Sequence, residues 1–303
     1  MSRLYATTLF VTLAGLWGLS FPAITVGLEY LPPLLFAAFR YDVAAVLLLA
    51  YAVVARDGWW PTGRNNRLAI LGGGLFLVAG NGLLFIGQQT VPSGIAAILQ
   101  ALVPIATALW ALALLGERLS TLGAVGVGLG FLGIGLIVQP DPTNLLAGDT
   151  LGRLIIVGQA ISVALGGVLV QRAGPSMDRV ALTGWSMFVG GLVLHAVSFG
   201  ASERLSAATL APTALGAIVY LGVFSTALAF VIYYTILEEQ GAFETSLVAY
   251  LVPIVATVAG VFLLGETIGL LSVAGFLVVF VGFALLKRHA LAGLLTDDSY
   301  GPV

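Results

Sequence analysis

The sequence predicts an all-α integral membrane protein of ten transmembrane helices, arranged as two inverted five-helix repeats. Three observations carry that expectation: composition, segment length and an internal duplication. Hydrophobic residues make up 59% of the 303-residue chain and charged residues 9%. Soluble domains average about 45–50% and about 25%, so most of this surface needs a solvent other than water. Cutting the chain at its charges, prolines and Gly/Asn clusters leaves roughly ten apolar segments of about 18–25 residues, the length that crosses a ~30 Å hydrocarbon core as a helix. The block LVPI, followed eight residues later by LLGE, occupies Leu102–Glu117 and recurs at Leu251–Glu266. Pro104 to Pro253 and Glu117 to Glu266 are both 149 residues apart, so the copies align without a gap. Repetition at constant offset inside a membrane is a mark of transporter architecture.

The first span, Ala6–Leu28, contains WGLSFPA and is too long, and too poor in a small-residue cleavage site, for a removed signal peptide. The second, Pro33–Ala55, carries Arg40 and Asp42 within its apolar run, and the third, Leu68–Gln88, carries Asn81 and Gln88. Proline stands mid-segment in the fourth, Pro92–Leu115, and the ninth, Phe243–Leu264. The fifth, Thr121–Val138, is glycine-rich; the sixth, Leu151–Val170, holds Gln159 and Ser162; the seventh, Val180–Phe199, holds Trp185 and His195. Tyr220, Tyr233 and Tyr234 lie in the eighth, Pro212–Leu237, and Gly269–Leu286 is the tenth. The Asp/Pro/Asn/Gly-rich interruption from Gln139 to Thr150 reads as a linker. It divides a first repeat, 1–145, from a second, 146–290, and leaves 291–303 as a cytoplasmic tail.

Basic residues set the expected orientation. With the N-terminus inside, the inner loops hold Arg3, Arg56, Arg64, Arg67, Arg118, Arg172, Arg179, Lys287 and Arg288, against Arg153 and Arg204 outside. Both termini are therefore expected in the cytoplasm. An odd number of spans per repeat makes the second copy enter from the opposite side, which puts Glu117 near the inner face and Glu266 near the outer one. Such a pair favours two near-equivalent states around a midplane site, the geometry of alternating access.

Other classes are excluded or weakened by what is missing. A net charge of -2 offers no nucleic-acid footprint, and the absence of Cys rules out disulfides and thiolate metal sites. The one lysine, Lys287, cannot build a phosphate loop, so ATP hydrolysis is excluded. His195 and Ser93 do not amount to a hydrolase site, and no metal-binding His pair exists. Gly128–Gly133, GLGFLG, formally matches a dinucleotide fingerprint, but without a preceding strand it reads as helix packing, as do Gly126 and Gly130 four apart. No cofactor, metal or obligate protein partner is expected; the partners are a small-molecule substrate and lipid.

WGLSFPA, Phe39-Arg40, and the two mid-span prolines each followed by LLGE resemble the drug/metabolite transporter superfamily, in its ten-helix branch of two EamA-type repeats. The resemblance runs from Leu13 to about Arg288. It implies an exporter of small metabolites with a central cavity, among whose better-known bacterial members are exporters of amino acids, aromatic ones included.

Candidate site residues follow from cost. An uncompensated amide in lipid costs several kcal/mol, so Asn81, Gln100 and Gln159 should face the bundle interior, as cavity groups or as interhelical braces. Trp17, Ser20, Phe21, Ser162, Tyr234 and Tyr250 extend the candidate lining, whereas Trp185 reads as interfacial. Pro104 and Pro253 should free the carbonyls of Gln100 and Ala249 and kink their helices, either toward a wet cavity or for packing alone. Arg40 is a candidate anchor for a substrate carboxylate or a structural, snorkelling arginine. Asp42 points about 200° away from it and needs a separate partner. Gly116 and Gly265 should cap helix C-termini, leaving Glu117 and Glu266 to cap or brace the next helix. With the resemblance, the expected function is alternating-access export of amino acids, aromatic and other neutral ones, across a bacterial inner membrane. Efflux of drugs or other metabolites is the alternative, and a channel or intramembrane enzyme a remote one.

Overall fold

A computed structural model of the chain describes residues 3–117, 120–139, 148–206, 209, 211–240, 245 and 248–286. Among these residues the protein is helical throughout, with no strand. Ten apolar helices carry the fold: α1 (Tyr5–Leu28), α2 (Pro33–Ala55), α3 (Arg64–Gly87), α4 (Ser93–Leu115), α5 (Thr121–Val138), α6 (Gly148–Ala173), α7 (Arg179–Gly200), α8 (Pro212–Leu237), α9 (Val248–Leu264) and α10 (Leu270–Leu286). The first eight have 18–26 residues and suffice to cross the hydrocarbon; α9 and α10 have 17 each. Val54, Phe199, Phe262 and Leu270 are 82–88% exposed, an arrangement that suits lipid and would be costly in water.

Several boundaries differ from expectation. α3 begins at Arg64 rather than Leu68, and α6 runs from Gly148 to Ala173 rather than from Leu151 to Val170. Helical hydrogen bonding does not stop where the apolar slab stops, since polar side chains at a helix end reach the wet headgroup layer. Asn66 anchors one such extension: its amide donates to the Thr62 carbonyl (2.7 Å) and its oxygen accepts from Ser176 N (2.9 Å) and Met177 N (3.3 Å), tying α3 to the α6–α7 turn.

The most extensive packing joins α5 to α10 and α2 to α7. At the α5–α10 crossing the backbones touch through glycine. A Cβ on Gly126 would lie 2.3 Å from the Gly282 carbonyl oxygen, and one on Gly133 would lie 2.6 Å from that of Gly275. These contacts are reciprocal, because Gly126 and Gly275, like Gly133 and Gly282, are 149 residues apart. The formal dinucleotide motif is thus part of a helix crossing. Small residues are what let two membrane helices approach this closely.

Three helices contain π-helical or 3-10 stretches. α3 contains a π-helical stretch, Gly73–Val78, followed by a 3-10 turn, Ala79–Asn81, and α8 contains a longer π stretch, Tyr220–Leu228. α4 passes through a 3-10 turn at Gln100–Leu102 before resuming at Val103. That last feature corrects the expectation for Pro104. The proline stands in the first turn of the resumed helix, and the Gln100 carbonyl is not free: it accepts from Val103 N–H in the tighter 3-10 register. Pro253 does lie inside a continuous helix.

The two LLGE ends have matching backbones. Gly116 (φ 71°) and Gly265 (φ 67°) adopt the left-handed conformation that stops a helix. The following Glu117 and Glu266 N–H groups reach back to the carbonyls of Ala111 (3.4 Å) and Gly260 (3.1 Å), each six residues earlier.

Candidate functional site

A chain of side-chain hydrogen bonds links four helices in the interior. Gln100 Nε2 on α4 donates to Gln159 Oε1 on α6 (2.7 Å), Gln159 Nε2 donates to Asn81 Oδ1 on α3 (2.9 Å), and Asn81 Nδ2 donates to the Tyr41 hydroxyl on α2 (2.5 Å). Gln159 at the centre is 2% exposed and Tyr41 is 4% exposed, whereas Gln100 and Asn81 are half-buried. All bonds run in one direction, so the series polarises along its length and leaves an amide oxygen available at the Gln100 end. Local irregularity positions it: Gln100 opens the 3-10 turn of α4, and Asn81 closes the 3-10 turn that follows the π stretch of α3.

Arg40 lies beside this series and is buried, at 7% exposure; it does not snorkel to a membrane face. Its Nε donates to Thr226 Oγ1 (2.8 Å) in the π stretch of α8, and its guanidinium carbon lies 5.3 Å from the Tyr41 ring centroid and 6.0 Å from that of Phe85. Asp42 finds the separate partner its helix position requires, its carboxylate accepting from His195 Nε2 on α7 (2.7 Å).

An aromatic group forms between α1 and α8. Trp17 stands 5.9 Å from Phe230 and 5.6 Å from Tyr233, and Tyr234 lies 5.3 Å from Tyr233 and 6.1 Å from Phe230. Tyr234 also hydrogen-bonds the Thr183 hydroxyl of α7, and the Tyr220 hydroxyl donates to the Leu16 carbonyl (3.1 Å). Such clusters contribute apolar area together with an edge-to-face preference.

The remaining predicted residues are dispersed. Ser20 donates to the Trp17 carbonyl (2.5 Å), within its own helix, and Gln88 Nε2 donates to the Phe21 carbonyl (3.0 Å). Ser162 donates to the Phe76 carbonyl (2.8 Å), bracing the π stretch of α3 away from the amide series. Trp185 joins Trp59 and Trp60 in a cluster at one end of the bundle, donating to the Trp59 carbonyl (2.9 Å). The Tyr250 side chain lies outside the described residues. An apolar cleft of about 270 Å³ between α4, α5 and α6, lined by Leu102, Trp110, Phe131 and Ile161 among others, contains none of the predicted site residues.

Glu266 does something the sequence reading misplaced. It caps α4, in the other copy of the duplicated block, rather than the next helix: its carboxylate accepts from Ser93 N (2.7 Å), Ser93 Oγ (2.9 Å) and Gly94 N (3.2 Å). At the same junction a Cβ on Gly94 would press on Ile268 and Thr257, and one on Gly260 would press on Glu266 and Ser93. Beyond Val103, α4 leaves α9 and packs on α6.

A family description, EamA-like transporter family, matches this chain twice, over residues 4–139 and 150–288. The chain belongs to the EamA-like transporter family. Relatives of this EamA-like protein include the inner membrane transporter YedA of Escherichia coli K12, 34% identical over 94% of each chain. A transporter of Archaeoglobus fulgidus is 29% identical over 90% of this chain and 95% of its own. A solved crystal structure, 18% identical, superposes on 98% of the chain with a TM-score of 0.65 and shares its fold. The EamA-like chain is therefore a multi-pass membrane transporter.

Reasoning from sequence missed Tyr41, Thr226 and Ser93 as partners of the residues it selected. Tyr41 adjoins Arg40, and that neighbourhood is the signal that flags it. Thr226 carried no signal, because only the π register of α8 and the crossing with α2 bring it to Arg40. Ser93 was read only against a hydrolase.

Proposed function

We propose that this EamA-like transporter exports amino acids, aromatic and other neutral ones, by alternating access between two inverted five-helix repeats, with both termini in the cytoplasm. The observation that carries the reading is the directional amide series from Gln100 to Tyr41 beside the buried guanidinium of Arg40. An amino acid presents a carboxylate, an ammonium and a side chain. The guanidinium matches the first, the Gln100 amide oxygen accepts from the second, and the Trp17, Phe230, Tyr233 and Tyr234 rings offer an apolar wall to the third. The reciprocal glycine crossing of α5 and α10 supports inverted repeats. The basic residues clustered at one face support the orientation. In this reading the Glu266–Ser93 junction closes the outer side, while α4 and α9 part toward the cytoplasm.

Purified protein in sealed liposomes, loaded with unlabelled phenylalanine, should take up labelled phenylalanine by saturable counterflow. Liposomes that move a cationic drug but no amino acid would overturn the substrate assignment, and single-channel currents would overturn the carrier mechanism.

A further inference from the structure

An amphipathic groove of about 530 Å³ lies on the outside of the α3–α6 pair, at the bundle face that carries Arg56, Arg64, Arg67, Arg172 and Arg179. Its floor contains Leu68, Leu71, Leu75 and Leu169, and its mouth is flanked by Arg64 and Arg172. We infer that this groove binds one phospholipid with a net-negative headgroup, phosphate at the two guanidiniums and an acyl chain along the leucine strip.

Geometry and charge both support that occupant. Leu68, Leu71 and Leu75 are 43–47% exposed and recur at helical spacing below Arg64, so they form one stripe rather than scattered surface apolar residues. From Arg64 to Leu75 the helix rises about 17 Å, close to the ~15 Å depth of one leaflet. Neither Arg64 nor Arg172 has a carboxylate within 4.0 Å among the described residues. Asp178, at the same face, is engaged as the cap of α7, accepting from Val180 N (2.9 Å) and Ala181 N (3.0 Å). Gly63 brings no side chain to cap α3, so the first-turn N–H groups of that helix add positive potential at the mouth. A second copy seated groove to groove would bring the Arg64 and Arg172 guanidiniums of both copies together. A free phosphate would leave the leucine strip unused, and basic pockets at a helix junction suit lipid phosphate.

Native mass spectrometry of the full chain, released from detergent containing equal phosphatidylglycerol and phosphatidylcholine, tests the assignment. Retention of phosphatidylglycerol should exceed that of phosphatidylcholine by about tenfold or more, equivalent to about 1.4 kcal/mol. Arg64→Gln with Arg172→Gln should bring the ratio near one, while Arg204→Gln, at a loop away from the groove, should leave it unchanged. Millimolar glycerol phosphate should not displace the lipid. The inference is overturned by a wild-type ratio near one, by a ratio that survives the double substitution, by an equal loss in Arg204→Gln, or by full displacement with glycerol phosphate, which would mark a free-anion site.

Discussion

Removing the Glu266 carboxylate should loosen the junction of α4 with α9. In the structure that carboxylate accepts two backbone N–H groups at the start of α4 and the Ser93 hydroxyl, at 2.7–3.2 Å. Loss of a helix N-cap costs about 1 kcal/mol, loss of a negative charge beside a helix N-terminus about 0.5 kcal/mol, and loss of a further hydrogen bond about 1 kcal/mol. Glu266→Ala should thus disfavour the closed junction by about 2–3 kcal/mol, a factor of about 30–150 in population. Glu266→Gln, which keeps one oxygen acceptor, should fall between the variant and the wild type. The chain contains no Cys, so a single introduced thiol reports accessibility without background. Ala97 is fully buried and lies one turn below Ser93 on the same helix face. In an Ala97→Cys background, a membrane-impermeant maleimide should label the Glu266→Ala protein at least tenfold faster than the parent, a conservative fraction of the population shift. Labelling within twofold of the parent would refute the reasoning, because the junction would then be held by packing of Gly94 against Thr257 and Ile268 and not by the cap.

Three further outcomes are expected. Gln159→Leu removes two of the three bonds of the amide series and strands the Asn81 oxygen and the Gln100 amide; a loss of about 1–2 kcal/mol should appear in thermal unfolding in detergent. Arg40→Lys keeps the charge but loses the planar fork and the Nε donor to Thr226; uptake of an amino acid should fall about tenfold while that of its amide analogue changes little, the factor that about 1.4 kcal/mol of recognition represents. At the α5–α10 crossing, a Cβ on Gly282 would sit 2.5 Å from the Gly126 carbonyl oxygen, whereas one on Gly128 meets nothing within 4 Å. Gly282→Ala should therefore destabilise by about 1–3 kcal/mol and Gly128→Ala should be neutral or stabilising, as melting temperatures would show.

Helix count and membrane character were legible because they depend on local composition: a run of about 20 apolar residues has few alternatives to crossing a bilayer. The glycine caps were equally legible, since a Gly before Glu at a helix end answers a purely local need for positive φ. The amide series was half legible. The cost of burying Asn81, Gln100 and Gln159 demanded partners, but nothing along the chain said that the three would satisfy one another or end on Tyr41. Ser162 illustrates the limit. It shares a helix face with Gln159, three residues away, yet the rise of about 4.5 Å between them carries it past the amide series to the π stretch of α3, where it braces Phe76.

The duplicated block shows where local information ended. LVPI and LLGE by themselves determined that a unit occurs twice and that each copy stops at a left-handed glycine. Tertiary structure alone decided that the second Glu caps the first copy's helix, because a carboxylate goes to whichever unsatisfied N–H groups three-dimensional packing brings within reach. The same applies to Pro104. Its missing N–H was certain from the residue type, but the answer to the carbonyl it leaves, a 3-10 bond from Val103, depended on how the whole helix could tighten against its neighbours.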